Sequence, residues 1–246
     1  MSTRFTHRVR RLVPLGALAI VAACGPKSED VQEIRNQQKL ILAKLSDLEK
    51  KLDQVGARPP AAGRPEVDPN KVYDIPLGNS AFKGPADAPV VITEFSDFQC
   101  PFCSQAAGLL EQVVKDYPKD VKFVYKQFPL TSIHPFALDA SRAALAAGKQ
   151  GKFWEMHDQL FANNRALQKE KLSDYAKTIG VDVAKFETDM NSPEVQAQIQ
   201  EEMKQAANAQ VTGTPTIFVN GKRLMNRSPE GFHTMIDQIL KEKKAG

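Results

Sequence analysis

The sequence has few cysteines, and what it lacks around them limits the chemistry they can carry. Only three of the 246 residues are cysteine, at positions 24, 100 and 103. Two cysteines separated by two residues cannot link distant parts of a chain, so a stabilising disulfide framework is not expected. Cys100 and Cys103 also make up only half of a tetrahedral zinc site, and no further cysteine follows them. No metal and no other cofactor is therefore predicted.

The N-terminal apolar run is too short to span a bilayer as a helix. It extends from Leu12 to Ala23, which is 12 residues, whereas a spanning helix needs about 20. Arginines at positions 4, 8, 10 and 11 precede it, no acid does, and it ends in small residues. A basic start, a short apolar core and small final residues are typical of a secretory signal peptide. We predict such a signal at residues 1–23 and an exported mature chain.

The end of the predicted signal resembles the lipobox of bacterial lipoproteins. Val21, Ala22 and Ala23 precede Cys24, and the resemblance implies cleavage just before Cys24 and thioether lipidation of its sulfur. The alternative is a plain signal peptide followed by an incidental cysteine. Without a lipid, however, Cys24 would be an unpaired thiol in an oxidising compartment. We therefore predict a protein of the periplasm or cell envelope that is lipid-anchored to a membrane.

The net charge gives no indication of a nucleic-acid partner. The formal charge is +4, from 33 basic and 29 acidic residues, and the four arginines of the predicted signal account for all of it. The rest of the chain is balanced, so it has no basic surplus to attract a polyanion. Nucleic-acid binding is not predicted.

A heptad pattern of apolar residues follows Cys24. Its a positions are Val31, Gln38, Leu45 and Leu52, and its d positions are Ile34, Ile41, Leu48 and Val55. This spacing predicts a coiled-coil helix within residues 24–56 that joins several copies of the chain. The mostly β-branched d residues favour an oligomer larger than a parallel dimer. The alternative is an amphipathic helix that lies on its own domain or on the membrane.

Residues 57–70 differ sharply in composition from the heptads. The segment is rich in Gly, Ala, Arg and Pro, and it includes Pro59, Pro60, Pro65 and Pro69. This density of proline disfavours a helix and favours an extended, semi-rigid linker. A separate domain is therefore predicted at residues 71–246.

Strand and helix patterns alternate within this domain. Runs of β-branched and aromatic residues predict strands at Val90–Phe95, Val121–Phe128 and Thr216–Asn220, a turn at Asn220–Gly221 and a hairpin partner at Arg223–Met225. Helical patterns are present at Pro101–Tyr117, between Pro135 and Asn208 with breaks near Gly151, Asn163 and Gly180, and at Pro229–Lys244. This order predicts an α/β fold around a mixed sheet.

Cys100 and Cys103 are the best candidates for catalysis. Disulfide exchange needs an exposed thiolate of lowered pKa and a second thiol that resolves the mixed disulfide. Cys100 lies at the predicted N-cap of the helix that Pro101 begins, where free N–H groups and the helix dipole stabilise a thiolate. Cys103, one turn inside the helix, is placed to attack the bond that Cys100 makes with a substrate.

Two motifs resemble those of the DsbA-like disulfide oxidoreductases, and the resemblance covers residues 71–243. They are Glu94-Phe-Ser-Asp-Phe-Gln-Cys100-Pro-Phe-Cys103 and Gly213-Thr214-Pro215-Thr216-Ile-Phe-Val-Asn-Gly221. The resemblance implies a thioredoxin fold with an inserted helical domain near residues 134–208. It also implies thiol-disulfide exchange on protein substrates. A cis bond between Thr214 and Pro215 would face the two cysteines, and this loop would help to bind the substrate.

Glu94 lies six residues before Cys100, inside an apolar strand, and the same resemblance implies a buried acid there. Because burial raises the pKa of a carboxyl group, such an acid can relay a proton from Cys103 as that thiol attacks. The alternative is a glutamate at a strand end that reaches solvent. Lys126, on the next strand, is either a charge partner of Glu94 or an exposed lysine.

Phe102 departs from the pattern of the best-known oxidant of this family, which has a histidine between the proline and the second cysteine. Without that donor, the Cys100 thiolate should be less stabilised and the disulfide less oxidising. Phe102 could instead contact apolar segments of a substrate, or cover the sulfur. His134, at the start of the predicted insertion, either reaches the site or is a helix-entry residue.

Three functions remain open from the sequence. The first is an oxidase that donates its disulfide to newly exported proteins. The second is an isomerase or reductase kept reduced by a membrane partner; the coiled coil favours it, because several linked sites suit the rearrangement of misfolded clients. The third is a lipid-tethered coiled-coil adaptor that only binds clients. Both cysteines, Glu94 and the Thr214–Pro215 loop argue against the adaptor, whereas the resemblance favours the oxidase.

Overall fold

The structure, a computed structural model, describes residues 28–56, 68 and 71–245. The predicted signal peptide, Cys24 and most of the predicted linker at 57–70 lie outside these residues. The chain divides into two units, at residues 1–64 and 65–246. The domain boundaries inferred from the sequence stay predictions.

The described part of the first unit is one helix, α1, at Ser28–Gly56. Its 29 residues, at about 1.5 Å each, give a length of about 43 Å. Side chains are described for residues 32–47 of this helix, and all of them are exposed. The heptad residues Ile34, Ile41 and Leu45 are at least half exposed. None of the described helices combines the length and the apolar character that crossing a bilayer requires.

Five strands and seven helices form the described part of the second unit. The strands are β1 (Phe82–Lys83), β2 (Val90–Ser96), β3 (Val121–Gln127), β4 (Thr216–Val219) and β5 (Lys222–Arg223). The helices are α2 (Pro101–Asp116), α3 (Ala137–Gly148), α4 (Phe153–Ala162), α5 (Lys169–Thr178), α6 (Val183–Met190), α7 (Pro193–Asn208) and α8 (Pro229–Ala245). The three predicted main strands and the predicted helix breaks are confirmed.

The strands form one sheet in the order β1-β3-β2-β4-β5. The central pair β2 and β3 is parallel, and the other neighbouring pairs are antiparallel. Helices α3 to α7 are inserted between β3 and β4. This is the arrangement of a thioredoxin fold with inserted helices, as the resemblance implies.

Helices cover both faces of the sheet, so β2 is buried on both sides. Ile92 belongs to the core that includes Leu110 of α2 and Ile236 of α8, whereas Phe95 belongs to the core that includes Ala206 of α7. Successive side chains of a strand point to opposite faces, which explains this division. Six of the seven side chains of β2 are buried. The strand therefore carries even its polar side chains into the protein interior.

Two features of the sheet differ from the sequence prediction. Sequence patterns do not reveal β1, because two residues are too few to show a strand period; antiparallel pairing with β3 forms it. The hairpin partner of β4 is Lys222–Arg223 rather than residues 223–225. The turn between them has positive φ at Asn220 (47°) and Gly221 (79°), as a type I′ turn requires.

Lys126 is neither the charge partner of Glu94 nor an exposed lysine, the two alternatives expected from the sequence. The parallel register pairs Lys126 with Phe95, and it pairs Glu94 with Tyr125, so Lys126 and Glu94 belong to opposite faces of the sheet. Lys126 is fully buried, and its Nζ donates to the backbone carbonyl oxygens of residues 76 and 77 at 2.5 and 2.9 Å. It therefore anchors the segment before β1 and is not the charge partner of Glu94.

Candidate active site

β2 and the turn after it place Cys100 at the start of α2. Cys100 is the N-cap residue, with φ −73° and ψ 121°, and Pro101 is the first residue of the helix. The backbone N–H of Cys100 donates to the carbonyl oxygen of Asp97 at 3.0 Å, which closes the turn. Pro101 has no N–H group, so the first backbone N–H groups that act on the Cys100 sulfur are those of Phe102 and Cys103.

Both cysteines of the pair are free thiols. Cys103 is fully buried and Cys100 is only 4 % exposed. The Sγ of Cys100 faces the carbonyl oxygen of Thr214 at 3.7 Å. The expectation of an exposed Cys100 is therefore wrong for this state of the protein, because the Thr214 loop lies against its sulfur. The neighbouring Phe102 is 66 % exposed, so it does not seal the sulfur from solvent and presents an apolar surface beside it.

The two thiols differ strongly in acidity. Hydrogen bonding to the Cys103 thiol lowers the pKa of Cys100 to about 5; the Thr214 side chain and the backbone N–H groups of Cys103 and Phe102 act in the same direction, and burial opposes them. Burial raises the pKa of Cys103 far above its ordinary value, and the hydrogen bond with Cys100 and the charge of Glu94 raise it further. At neutral pH, Cys100 is therefore the thiolate and Cys103 is the thiol.

Glu94 is fully buried, so the alternative of a glutamate reaching solvent is wrong. Burial raises the pKa of Glu94 to about 8, and the carboxyl group is therefore mostly protonated at neutral pH. Ser96 Oγ donates to Glu94 Oε1 at 3.0 Å. The second oxygen, Oε2, is buried and has no hydrogen-bond partner among the described residues.

The loop from Gly213 to Pro215 faces the start of α2. Its Thr214–Pro215 bond is cis, as the resemblance implies. The carbonyl oxygen of Pro215 accepts a hydrogen bond from Arg227 Nη1 at 2.7 Å. A pocket of about 270 Å³ lies beside the loop, and its lining is largely apolar: Phe102, Ala106, Leu109, Pro215, Ile217 and Phe232, with Gln105 and Arg227. The site thus combines a thiolate with an adjoining apolar pocket.

Asp97 is a site residue that the sequence does not reveal. It is fully buried, and its carboxylate accepts from the backbone N–H groups of Gln99 and Leu130 and bonds His134 Nδ1, all at 2.8 or 2.9 Å. His134 therefore supports the turn before Cys100 through Asp97 and has no hydrogen bond to either cysteine within the described structure. An aspartate three residues before a cysteine has no recognisable pattern, so only the fold identifies it.

Two neighbouring thiols of such different acidity, one at a helix start and one buried behind it, are the working parts of thiol-disulfide exchange. The described domain has the thioredoxin fold with inserted helices and carries such a pair at Cys100 and Cys103. The chain belongs to the thioredoxin family, because residues 77–238 match the family model Thioredoxin_4, described as thioredoxin.

Solved structures of several bacterial proteins share this fold. BdbD from Bacillus subtilis, in its oxidised form, is 23 % identical, with a TM-score of 0.63 over 69 % of this chain and 97 % of its own. A thioredoxin-like oxidoreductase from Silicibacter pomeroyi is 26 % identical, with a TM-score of 0.60 over 69 % of this chain and 94 % of its own. ScsC from Proteus mirabilis is 17 % identical, with a TM-score of 0.58 over 88 % of this chain and all of its own.

Curated relatives match the sequence over a shorter part of their length. The Na(+)/H(+) antiporter NhaA 1 of Salinispora arenicola is 40 % identical over 141 residues, which are 57 % of this chain and 22 % of that protein. The related antiporter of Herminiimonas arsenicoxydans is 33 % identical over 165 residues, 67 % of this chain and 25 % of that protein. The chain thus spans about a quarter or less of the curated relatives that it matches, and their names describe much longer proteins.

Proposed function

We propose that this protein is an exported oxidase that forms disulfides in other exported proteins through Cys100 and Cys103. The observation that carries the proposal is the difference in acidity between the two thiols: hydrogen bonding lowers the pKa of Cys100 to about 5, and burial raises that of Cys103. A stabilised thiolate stabilises the reduced form of the protein. A protein with a stabilised reduced form readily passes its disulfide to a client.

The reaction begins when a client thiolate attacks the sulfur of Cys100 in the oxidised protein. A client–Cys100 disulfide forms, the Cys100–Cys103 bond breaks, and Cys103 leaves with the electron pair. Because burial disfavours a thiolate at Cys103, this sulfur takes up a proton, and the protonated carboxyl group of Glu94 supplies it. A second client thiolate then attacks the client sulfur, which releases Cys100 as its stabilised thiolate and leaves a disulfide in the client.

The client binds, in this proposal, across Phe102 and the Thr214–Pro215 loop. An extended client segment can pair with backbone groups of Thr214, whose carbonyl oxygen lies 3.7 Å from the reacting sulfur. Phe102 is 66 % exposed and offers apolar contact, and the pocket that it lines with Pro215 accepts an apolar side chain of the client. Unfolded chains expose such side chains, so newly exported proteins fit this surface.

The predicted signal and Cys24 give the proposed location. We infer that the mature protein is lipidated at Cys24 and anchored to a membrane in the periplasm or cell envelope, where disulfides persist. Each client oxidised leaves Cys100 and Cys103 reduced. A membrane redox partner that removes two electrons from the pair is therefore part of the proposal.

A disulfide isomerase or reductase is the second candidate, and the first unit favours it. The exposed heptad residues of α1 support a coiled coil that holds several active sites together. The ScsC structure covers 88 % of this chain, which is more than the second unit alone contains, so its likeness extends into the first unit. The coiled-coil adaptor without catalysis is the least supported candidate, because an acidic Cys100 is not needed for binding.

Mixing the oxidised protein with a reduced dithiol peptide tests the proposed activity. We expect one peptide disulfide for each protein disulfide consumed. Cys100→Ser should abolish the exchange, and Cys103→Ser should trap a stable mixed disulfide between Cys100 and an oxidised peptide. Cys24→Ser is the matched control, because it removes a cysteine outside the pair and should leave both reactions intact. Full activity of Cys100→Ser would refute the proposal.

Trapping the protein in cells with acid and a thiol-alkylating reagent separates the two candidates. An oxidase must be found mainly with the Cys100–Cys103 disulfide, because only that form donates oxidising equivalents. An isomerase must be found mainly with free thiols, because only a thiolate can attack a wrong disulfide. A mainly reduced pair in cells would therefore favour the isomerase.

A further inference from the structure

Ser96 makes a contact in the site that the two cysteines alone do not explain. It is fully buried, and its Oγ donates to Glu94 Oε1 at 3.0 Å. Residues two apart on a strand point to the same face, so β2 directs Ser96 and Glu94 into the same part of the core. A buried hydroxyl is costly unless it is hydrogen-bonded, and the bond to Glu94 satisfies it.

This hydrogen bond makes the two carboxyl oxygens of Glu94 unequal. Oε1 is occupied by Ser96, whereas Oε2 is buried and has no partner among the described residues. A buried polar atom without a partner is rare, and a catalytic role is one of its established explanations. Glu94 also acts electrostatically on Cys103 and raises its pKa, whereas a hydrogen bond from Ser96 lowers the pKa of the same thiol. The free oxygen therefore belongs to a group that is coupled to the resolving thiol.

We propose that Ser96 is a positioning residue, which holds Oε1 of Glu94 so that Oε2 is the atom that exchanges a proton with Cys103. The inference rests on the proposed role of Glu94. When Cys103 attacks a mixed disulfide on Cys100, its proton moves to Oε2 of the carboxylate, the Cys100–Cys103 bond forms, and the client leaves as a thiolate with the electron pair. In the oxidation of a client, the same proton returns to Cys103.

Ser141 provides a matched control for Ser96. It lies on α3 and is fully buried, and its Oγ has no hydrogen-bond partner within the described part of the chain. Ser141→Ala therefore removes one buried hydroxyl group, as Ser96→Ala does, but it leaves the hydrogen bond to Oε1 of Glu94 in place.

The test follows the reaction of the reduced full-length protein with oxidised glutathione. Samples are quenched with acid, and mass spectrometry measures the mixed disulfide on Cys100: its formation reports on Cys100, and its decay reports on attack by Cys103. We expect Ser96→Ala to slow the decay about tenfold, the size of one lost hydrogen bond to an ionising group, with formation unchanged. Ser141→Ala should leave both rates unchanged. A wild type that gains no Cys100–Cys103 disulfide from oxidised glutathione would instead contradict the proposed function.

Combining Ser96→Ala with Glu94→Gln shows whether Ser96 acts through Glu94. In the Glu94→Gln background, Ser96→Ala should cause no further slowing, because residues that act through one group are not additive. Ser96→Thr keeps the hydroxyl, so its decay rate should lie within about threefold of the wild type, since a hydrogen bond of similar strength is retained. Additive slowing in the double variant, equal slowing by Ser141→Ala, or a tenfold loss in Ser96→Thr would overturn the inference. Urea unfolding shows which variants are folded.

Discussion

The sulfur of Cys100 lies 3.7 Å from the carbonyl oxygen of Thr214, although 114 residues separate them in the sequence. Antiparallel pairing of β2 with β4 brings them together, because Phe95 near the end of β2 is paired with Thr216 at the start of β4. The loops that leave these strand ends therefore meet. Two short motifs on either side of the inserted helices therefore form one site. The pKa values and the redox potential of this site can be measured.

The first prediction concerns the acidity of Cys100. In the reduced protein, thiolate absorbance should rise with a midpoint near pH 5, because hydrogen bonding lowers the pKa of Cys100 to about 5. Cys100→Ser should lose this transition. Cys103→Ala should shift it upward, because the Cys103 thiol makes the largest contribution. An unchanged midpoint in Cys103→Ala would show that the helix start alone stabilises the thiolate.

The second prediction concerns Phe102 and the redox potential. The potential should lie between about −270 and −120 mV, the values of thioredoxin and DsbA. Phe102→His adds a hydrogen-bond donor near the Cys100 thiolate. It should raise the potential by about 30 mV, equivalent to about 1.4 kcal/mol of extra stability in the reduced form. Equilibration with glutathione measures both values. Phe102→Leu adds no donor. A similar rise of the redox potential in that variant would therefore show that the added donor is not the cause.

The third prediction concerns Glu94 and the pH dependence of stability. Its pKa is raised from 4.5 to about 8 in the folded protein. The stability that this shift provides is complete below pH 4.5 and is lost as the pH rises through 8, at up to about 1.4 kcal/mol per pH unit. Glu94→Gln cannot ionise. The reduced variant should therefore gain stability over the wild type between pH 5 and pH 8.

Urea unfolding of the reduced protein at several pH values checks this expectation. Glu111→Gln is the matched control, because Glu111 is an exposed glutamate on α2 that pairs with Lys115. Because the hydrogen bond with Lys115 lowers the pKa of Glu111, Glu111→Gln should leave the pH dependence between pH 5 and pH 8 unchanged. If the difference between Glu94→Gln and the wild type does not grow with pH, Glu94 is already ionised at low pH in the folded protein.

The sequence predicts the order of the elements and the place of the two cysteines because both depend on local patterns. Hydrophobic runs identify β2, β3 and β4, and Pro101 after Cys100 marks the start of α2. The resemblance to the DsbA-like oxidoreductases also identifies Glu94 and implies that it is a buried acid. The residues alone leave open whether that side chain is buried or reaches solvent, because burial depends on the helices that pack on the sheet.

The remaining features depend on contacts between distant segments. Asp97 bonds to His134, which lies 37 positions later in the chain. Arg227 follows β4 and β5 in the sequence and donates to the carbonyl oxygen of Pro215, which precedes both strands. The enclosure of Cys100 by Thr214 has the same origin. Lys126 is the clearest example of a feature that the sequence does not predict. The register of β2 with β3 decides which face of the sheet its side chain lies on, and no local sequence pattern reveals that register.

The fourth prediction concerns self-association through α1. Ile41 is a d position and Leu40 is a c position of the heptads, and both side chains are exposed within their own unit. A coiled coil buries d and leaves c in solvent. Ile41→Glu should therefore dissociate the oligomer in sedimentation experiments, whereas Leu40→Glu should not. Equal effects of the two substitutions would favour an amphipathic helix that lies on a surface, and a monomeric wild type would rule out the coiled coil.

The fifth prediction uses Ile41→Glu to separate oxidation from isomerisation. Oxidation needs one encounter between a client and one disulfide, so the monomeric variant should oxidise a reduced peptide as fast as the wild type. Isomerisation benefits from several thiolates near one client, because linked sites raise the effective concentration of the attacking group. If the protein is an oxidase, refolding of scrambled ribonuclease should fall no more than peptide oxidation does. A selective loss of refolding in Ile41→Glu, with Leu40→Glu unaffected, would make the isomerase the better account.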